Sequence, residues 1–299
     1  MIEIHHVHKG FEQVEAVKDV SLHVQKGSIY GLLGSNGAGK TTLLKMLAGI
    51  YKPDDGDIFI EGEPIFENVK LKKKLLFLPD NPYFFPHVTI QQMAQFYRDV
   101  YPGWNEERFW QLQEWFSIDV QQKIQRMSKG MQRQAAFWLA FSVMPDVLIL
   151  DEPFDGLDAV MRKKMKNLLV QDVAERNMTV FISSHNLREV EDLCDHVGIL
   201  HNGEMIMERE IDDLKADVHK IQVAFRDGIP SSFLTGLQVV YQEQRGSVLL
   251  CIVRGNREEV DAYIQRFAPV IFDVLPLTLE EIFVYEMGRV GYAIESVMV

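Results

Sequence analysis

Apolar and polar positions change rhythm three times along this chain. SIYGLLG (28–34) is almost entirely apolar or small, as expected of a strand buried on both faces of a parallel sheet. A glycine-rich loop follows. KTTLLKMLAGI then predicts a helix that ends at Gly49. YKPDDG is turn chemistry, and DIFIEG predicts a further strand. From about Pro79 to Phe141 the chain is rich in Gln, Trp, Phe and Tyr, with helical spacing in TIQQMAQFYRDVY and ERFWQLQEWF. This stretch predicts a helical insert. Beyond it come a strand over DVLILD, a helix over MRKKMKNLLVQDVAERN, a strand over MTVFISS and a helix over NLREVEDLC. Alternating strands and helices imply an α/β domain with a mainly parallel sheet.

After about Lys215 the rhythm shortens. HKIQVAF, LQVVYQE and SVLLCIV predict three strands, the latter two joined as a hairpin across QRGS. NREEVDAYIQRF predicts a helix with a capping box between Asn256 and Glu259, followed by a strand VIFDVL and a second capped helix TLEEIFVYEM. The expected organisation is a domain over 1–215, with its helical part at about 80–141, and a small α+β domain over 216–299.

Composition narrows the function classes. Hydrophobic residues make up 47% and charged residues 25%, enough apolar material for a core. The net charge of -12 argues against nucleic acid and against a charge-driven bond to an anionic membrane. Cys194 and Cys251 form no CxxC pair, which fits a reducing cytoplasm. The N-terminus has no signal-peptide pattern. The most apolar run, AAFWLAFSVM, stops at Pro145 and Asp146, too short for a bilayer of roughly 30 Å. In HHVH, His5 and His8 would face opposite sides of a strand, so a strand surface is favoured over a metal site. The KLKKK run at 70–74 reads as a solvated helix face.

The chemistry lies in three stretches. GSNGAGKTT comprises Gly34, Ser35, Asn36, Gly37, Ala38, Gly39, Lys40, Thr41 and Thr42. It has the GxxxxGK[ST] spacing after a buried strand and at the start of a helix. Its glycines let consecutive N–H groups point at phosphate, and the helix adds its positive end. Lys40 is placed to reach the outer phosphates, and Thr41 to bind Mg²⁺. VLILDEP puts Asp151 at a strand end, a second Mg²⁺ ligand, and then Glu152, a base for the attacking water. His185 ends the next buried strand, at the edge where a γ-phosphate would sit.

With the FDGLD stretch at 154–158 and SSHNLREVEDLCDHVGILHNGEM, these motifs resemble the ATP-binding subunit of an ATP-binding cassette (ABC) transporter over roughly residues 1–215. The resemblance implies a P-loop NTPase with an antiparallel N-terminal part, a cytoplasmic ATPase using ATP and Mg²⁺, and separate transmembrane permease subunits as partners. It also implies a second ABC ATPase chain, packed head to tail. The family's LSGGQ signature falls on Met127, Ser128, Lys129, Gly130 and Met131, so Ser128 and Gly130 would complete the partner's nucleotide site. The SKGM form is similar to exporter ATPases. Phe11 takes the place of the adenine-stacking aromatic, and Asp158 lies in the loop between the two sites. Asp80 stands where the family carries a metal-touching Gln; it is shorter and charged, so the contact there departs from the family's. In NPYFFPHVTIQQMAQFY, Tyr83, Phe84 and Phe85 are divided between a groove for the membrane subunit and core of the helical insert. An importer ATPase, a mechanical clamp on ribosomes or DNA, and a simple binding module are the alternatives. The single cassette, the acidic balance and Glu152 weigh against the last two.

Overall fold

A computed structural model describes residues 1–216 and 218–282. The chain divides into two compact units. The first comprises 1–186 and 193–208; the second comprises 187–192 and the described residues from 209 onward.

The first unit holds two sheets. Strands β1 (Ile2–Phe11), β2 (Val14–Val24), β4 (Asp55–Ile60) and β5 (Glu63–Pro64) make an antiparallel sheet in the order β2-β1-β4-β5. Alternation buries Ile2 and Ile4 on β1 with Ile58 and Ile60 on β4, and a bulge after Ile4 brings Val7 back to the same buried face. The second sheet is built on β3 (Ile29–Leu33), β6 (Leu75–Leu78), β7 (Val147–Asp151), β8 (Thr179–Ser184), β9 (His196–His201) and β10 (Glu204–Glu210). Its order is β10-β9-β3-β8-β7-β6, and the β9-β3, β3-β8, β8-β7 and β7-β6 pairs are all parallel. Every residue of β3, β7 and β8 is buried, as their unbroken apolar runs require. Helix α1 (Lys40–Leu47) packs Leu43, Leu44, Met46 and Leu47 into the core shared with both sheets.

Helix α2 (Val69–Lys72) precedes β6, and α3 (Ile90–Val100), α4 (Glu106–Phe116) and α5 (Lys129–Ser142) lie between β6 and β7. The KLKKK run falls on α2 and the turn after it, and Lys72 donates to Gly49 O at 2.8 Å. Thr89 and Gln92 form a reciprocal capping box at the start of α3. Helix α5 is the anchor of the insert, with Ala135 through Ser142 buried. Its Trp138 stacks on Phe109 of α4 at 4.8 Å and donates to Phe109 O at 2.8 Å. Helix α6 (Ala159–Arg176) carries Asp172, fully buried and paired with Arg176 at 3.0 Å and with Arg108 of α4. Two guanidiniums on one carboxylate satisfy a charge that would be costly to bury alone.

In the second unit, the helix expected over NLREVEDLC is limited to α7 (Leu187–Glu191). Then come α8 (Ile211–Ala216), β11 (Val218–Ala224), β12 (Gln238–Arg245), β13 (Val248–Arg254), α9 (Arg257–Gln265) and β14 (Ile271–Leu275). The sheet order is β12-β13-β11-β14, with all pairs antiparallel. Asn256 caps α9 alone, accepting from the Glu258 and Glu259 N–H groups rather than sharing a reciprocal box. Ile221, Val223, Phe233, Cys251, Val253 and Ile264 form the core of this unit. Most of the expected TLEEIFVYEM helix lies outside the described residues; the part at 279–282 is helical.

Candidate functional site

The parallel register brings three chain reversals to one edge. Leu33 pairs with Ser184 and Asp151 with Ser183, so the segments after β3, β7 and β8 leave the sheet side by side. The loop after β6, which carries Asp80, leaves from the same end.

The 34–42 loop curls through Gly37 at φ 82° and Gly39 at φ 105°. A Cβ on Gly39 would stand 2.2 Å from Ala16 O, so only glycine fits. A Cβ on Gly37 would meet no atom within 4 Å, which leaves that side of the loop open as a cradle. Lys40, 6% exposed, donates to Gly34 O at 2.6 Å and to Ser35 O at 3.2 Å. Its Nζ also lies 3.2 Å from Glu152 Oε1. The hydroxyl of Thr41 donates to Asp151 Oδ2 at 2.8 Å, and Ser183 Oγ donates to Asp151 Oδ1 at 2.6 Å.

Glu152 sits at φ 45°, an uncommon conformation for a non-glycine residue. Its N–H is held by Ser183, at 3.0 Å from Oγ and 3.2 Å from the carbonyl. Its Oε2 accepts from the His185 N–H at 3.2 Å and lies 2.9 Å from His185 Nδ1. His185 thus holds Oε2, while Oε1 meets Lys40 as an ion pair without a hydrogen bond.

These groups border a cavity of about 630 Å³ lined by Ser35 through Thr42, Asp80 and Glu152. Val14, Glu15, Ala16 and Lys18 of β2, with Asn202, complete the wall. The loop's amides and Lys40 suit a polyphosphate. The Thr41 hydroxyl and Asp151 carboxylate, in contact at 2.8 Å, form the hard-oxygen pair that Mg²⁺ prefers.

Phe11 stands apart from that lining. It is 41% exposed, edge-on to Tyr51 at 5.4 Å. Ser128 is the N-cap of α5, accepting from the Met131 N–H at 3.2 Å. A Cβ on Gly130 would come to 3.1 Å from Gly156 O, so the first turn of α5 lies against the 154–158 loop. Asp158 caps α6, accepting from the Met161 N–H at 2.8 Å. Asp80 pairs with Arg133 of α5, Oδ1 to guanidinium at 2.7 Å. Tyr83 is 76% exposed, Phe85 is half-exposed, and Phe84 is intermediate.

Two residues of this arrangement carried no sequence signal. Ser183 reads as an ordinary strand-end serine, and Arg133 as one polar position on an amphipathic helix. Their contacts join segments 32 and 53 residues apart, respectively.

Comparison with known proteins agrees with this geometry. The ABC transporter family profile matches residues 17–155. The chain is 32% identical to the ABC transporter ATP-binding protein YtrB of Bacillus subtilis, over 96% of this chain and 98% of that one. It is 36% identical to the bacitracin transport ATP-binding protein BcrA of Bacillus licheniformis, over 69% of each chain. Among solved structures, the ATP-binding subunit of an ABC transporter superposes with a TM-score of 0.66 at 26% identity, over 72% of this chain and 92% of that one.

Proposed function

This chain belongs to the ABC transporter family as one of its ATP-binding ATPase subunits, and on that premise we propose that it hydrolyses ATP in the cavity above β3, β7 and β8 to drive export through separate membrane-spanning subunits. The observation that carries the hydrolytic part is the placement of Glu152. Its carboxylate lies in the cavity wall beside the phosphate loop and within 2.9 Å of His185.

The residues divide the work as follows. The 37–42 amides and Lys40 take the phosphates, which draws Lys40 away from Gly34 O, Ser35 O and Glu152. Thr41, Asp151 and Asp80 would hold Mg²⁺, which would supply positive charge beside the phosphates. Glu152, released from Lys40, accepts a proton from water as its oxygen bonds to the terminal phosphorus and the bond from that phosphorus to ADP breaks. His185 orients Glu152 and donates to the γ-phosphate.

Ser128 and Gly130 present the N-terminus of α5 to the nucleotide of a second cassette, and Asp158 lies in the loop between the two sites. Closure of such a dimer by ATP and its release by hydrolysis is a ligand-driven population shift. Likeness to bacitracin transport proteins supports export. Tyr83, Phe85 and Phe96 are exposed and meet edge to face at 6.3 and 5.1 Å, an apolar face suited to a short helix of the membrane subunit. Among the described residues no helix is long and apolar enough to cross a membrane; on this reading the membrane-spanning partners hold the chain at the inner face. Phe11 would stack on adenine, and the module after residue 215 would steady the dimer.

Light scattering of the Glu152→Gln chain, with and without Mg-ATP, tests this reading. The expected result is a dimer only with Mg-ATP. A monomer under both conditions would reject an identical partner, and a dimer under both would reject closure by ATP. A chain that neither binds nor turns over ATP would overturn the whole reading.

A further inference from the structure

Arg133 lies on α5, five residues past Ser128, and its side chain is 12% exposed. Its guanidinium joins three stretches of chain. Nη1 donates to Glu152 O at 2.7 Å and to Asp155 O at 2.6 Å. Nη2 donates to Asp80 Oδ1 at 2.7 Å and also to Asp80 O. The other carboxylate oxygen of Asp80, Oδ2, accepts from Asn81 Nδ2 at 2.8 Å. A planar fork of five donors can serve four acceptors this way; an ammonium cannot.

Asp80 lines the same cavity as Lys40, Thr41 and Glu152, and its side chain is 44% exposed. A cavity built for a polyanion thus carries a carboxylate in its wall. Unopposed, that charge would repel every phosphate brought in. The guanidinium opposes it at contact distance and holds Oδ1, while Asn81 holds Oδ2. Arg133 is mostly buried while Asp80 is part-exposed, so salt screens the pair less than it screens two surface charges.

We infer that Arg133 is a positioning residue for nucleotide binding: it neutralises and orients Asp80, so that ATP is accepted beside a carboxylate, and it ties that carboxylate to the helix that carries Ser128 and Gly130. The inference rests on the ATP reading of the cavity. It makes the charges at 80 and 133 a pair whose members have opposite effects. Removing Arg133 exposes ATP to a bare carboxylate. Removing the Asp80 charge leaves a bare guanidinium that attracts ATP.

The test is ATP affinity by calorimetry on the full chain in EDTA, which takes the metal out of the comparison. Arg133→Ala is expected to weaken ATP by about fivefold and ADP by less, the size expected of one partly exposed ion pair. Asp80→Asn is expected to tighten ATP by a similar factor. The Arg133→Ala, Asp80→Asn double variant should return to near the wild-type value, and Arg133→Lys should fall between wild type and Arg133→Ala. A double variant as weak as Arg133→Ala alone would overturn the inference, because Arg133 would then act only by bracing the Glu152 and Asp155 carbonyls. If Arg133→Ala does not fold, Asp80→Asn decides: unchanged ATP affinity overturns the inference. Lys40→Ala serves as the separate control. ATP affinity unmoved by that change would reject the ATP reading itself.

Discussion

Lys40 Nζ and Glu152 Oε1 form an ion pair of 3.2 Å between two loops that enter the site from different strands. On the proposed function Lys40 is the phosphate-binding cation and Glu152 the base, and nucleotide binding would separate them. Glu152→Gln is therefore expected to bind ATP at least as tightly as wild type while turnover falls by roughly 10²–10⁴-fold. Equilibrium binding and phosphate release on the same preparation would check this, and loss of affinity along with rate would contradict it.

Thr41 and Asp151 are expected to act as one unit toward Mg²⁺, since their oxygens already touch at 2.8 Å. Thr41→Ala and Asp151→Asn should each abolish the gain in ATP affinity that Mg²⁺ gives over EDTA. Titration of Mg²⁺ at fixed ATP reads this directly. A variant with the full wild-type gain would remove that residue from the metal site.

Gly39→Ala should destabilise the chain by roughly 2 kcal/mol or more, from the left-handed backbone and from the clash with Ala16 O. Gly37→Ala, with open space around the same atom, should cost less in stability. Urea unfolding of both variants separates the two contributions; equal midpoints would show that φ alone decides.

Alkaline pH should weaken the fold. Burial first, then the charge and hydrogen bond of Glu208, lift the Tyr30 hydroxyl well above its usual value of about 10. Burial pushes Tyr97 up to about 12 in the same way, with Tyr101 adding to it. The folded chain then keeps protons that the unfolded chain loses, so stability is intact below about pH 10 and falls as pH rises beyond it. Tyr30→Phe should flatten the urea midpoint against pH above about 10. A curve parallel to wild type would show that Tyr30 does not contribute.

What the sequence made legible is local. The 34–42 loop is written in consecutive letters, and the strands VLILD and TVFISS declare themselves by unbroken apolar runs. Fixing those strands was enough to place Asp151, Glu152 and His185 at one edge. The hidden part is what one loop does to another. No spacing rule links Arg133 to Asp80, or Val14 and Asn202 to the cavity, because each pairing is created by packing of distant segments. Phe11 is a different case: its place opposite adenine is implied by the family resemblance alone, and its ring lies exposed and edge-on to Tyr51.

Ser183 has a consequence beyond the chemistry it supports. It is fully buried, donates to Asp151 Oδ1 and accepts from the Glu152 N–H, so it can satisfy both contacts in one alignment of β7 and β8 only. A slip of one residue would turn Asp151 to the opposite face and leave a carboxylate without a partner in the middle of the protein. Parallel strands joined by long crossovers pair late in folding, when such errors are costly to undo. Ser183 is in that sense a proofreading contact: it favours the one strand alignment that also satisfies Asp151.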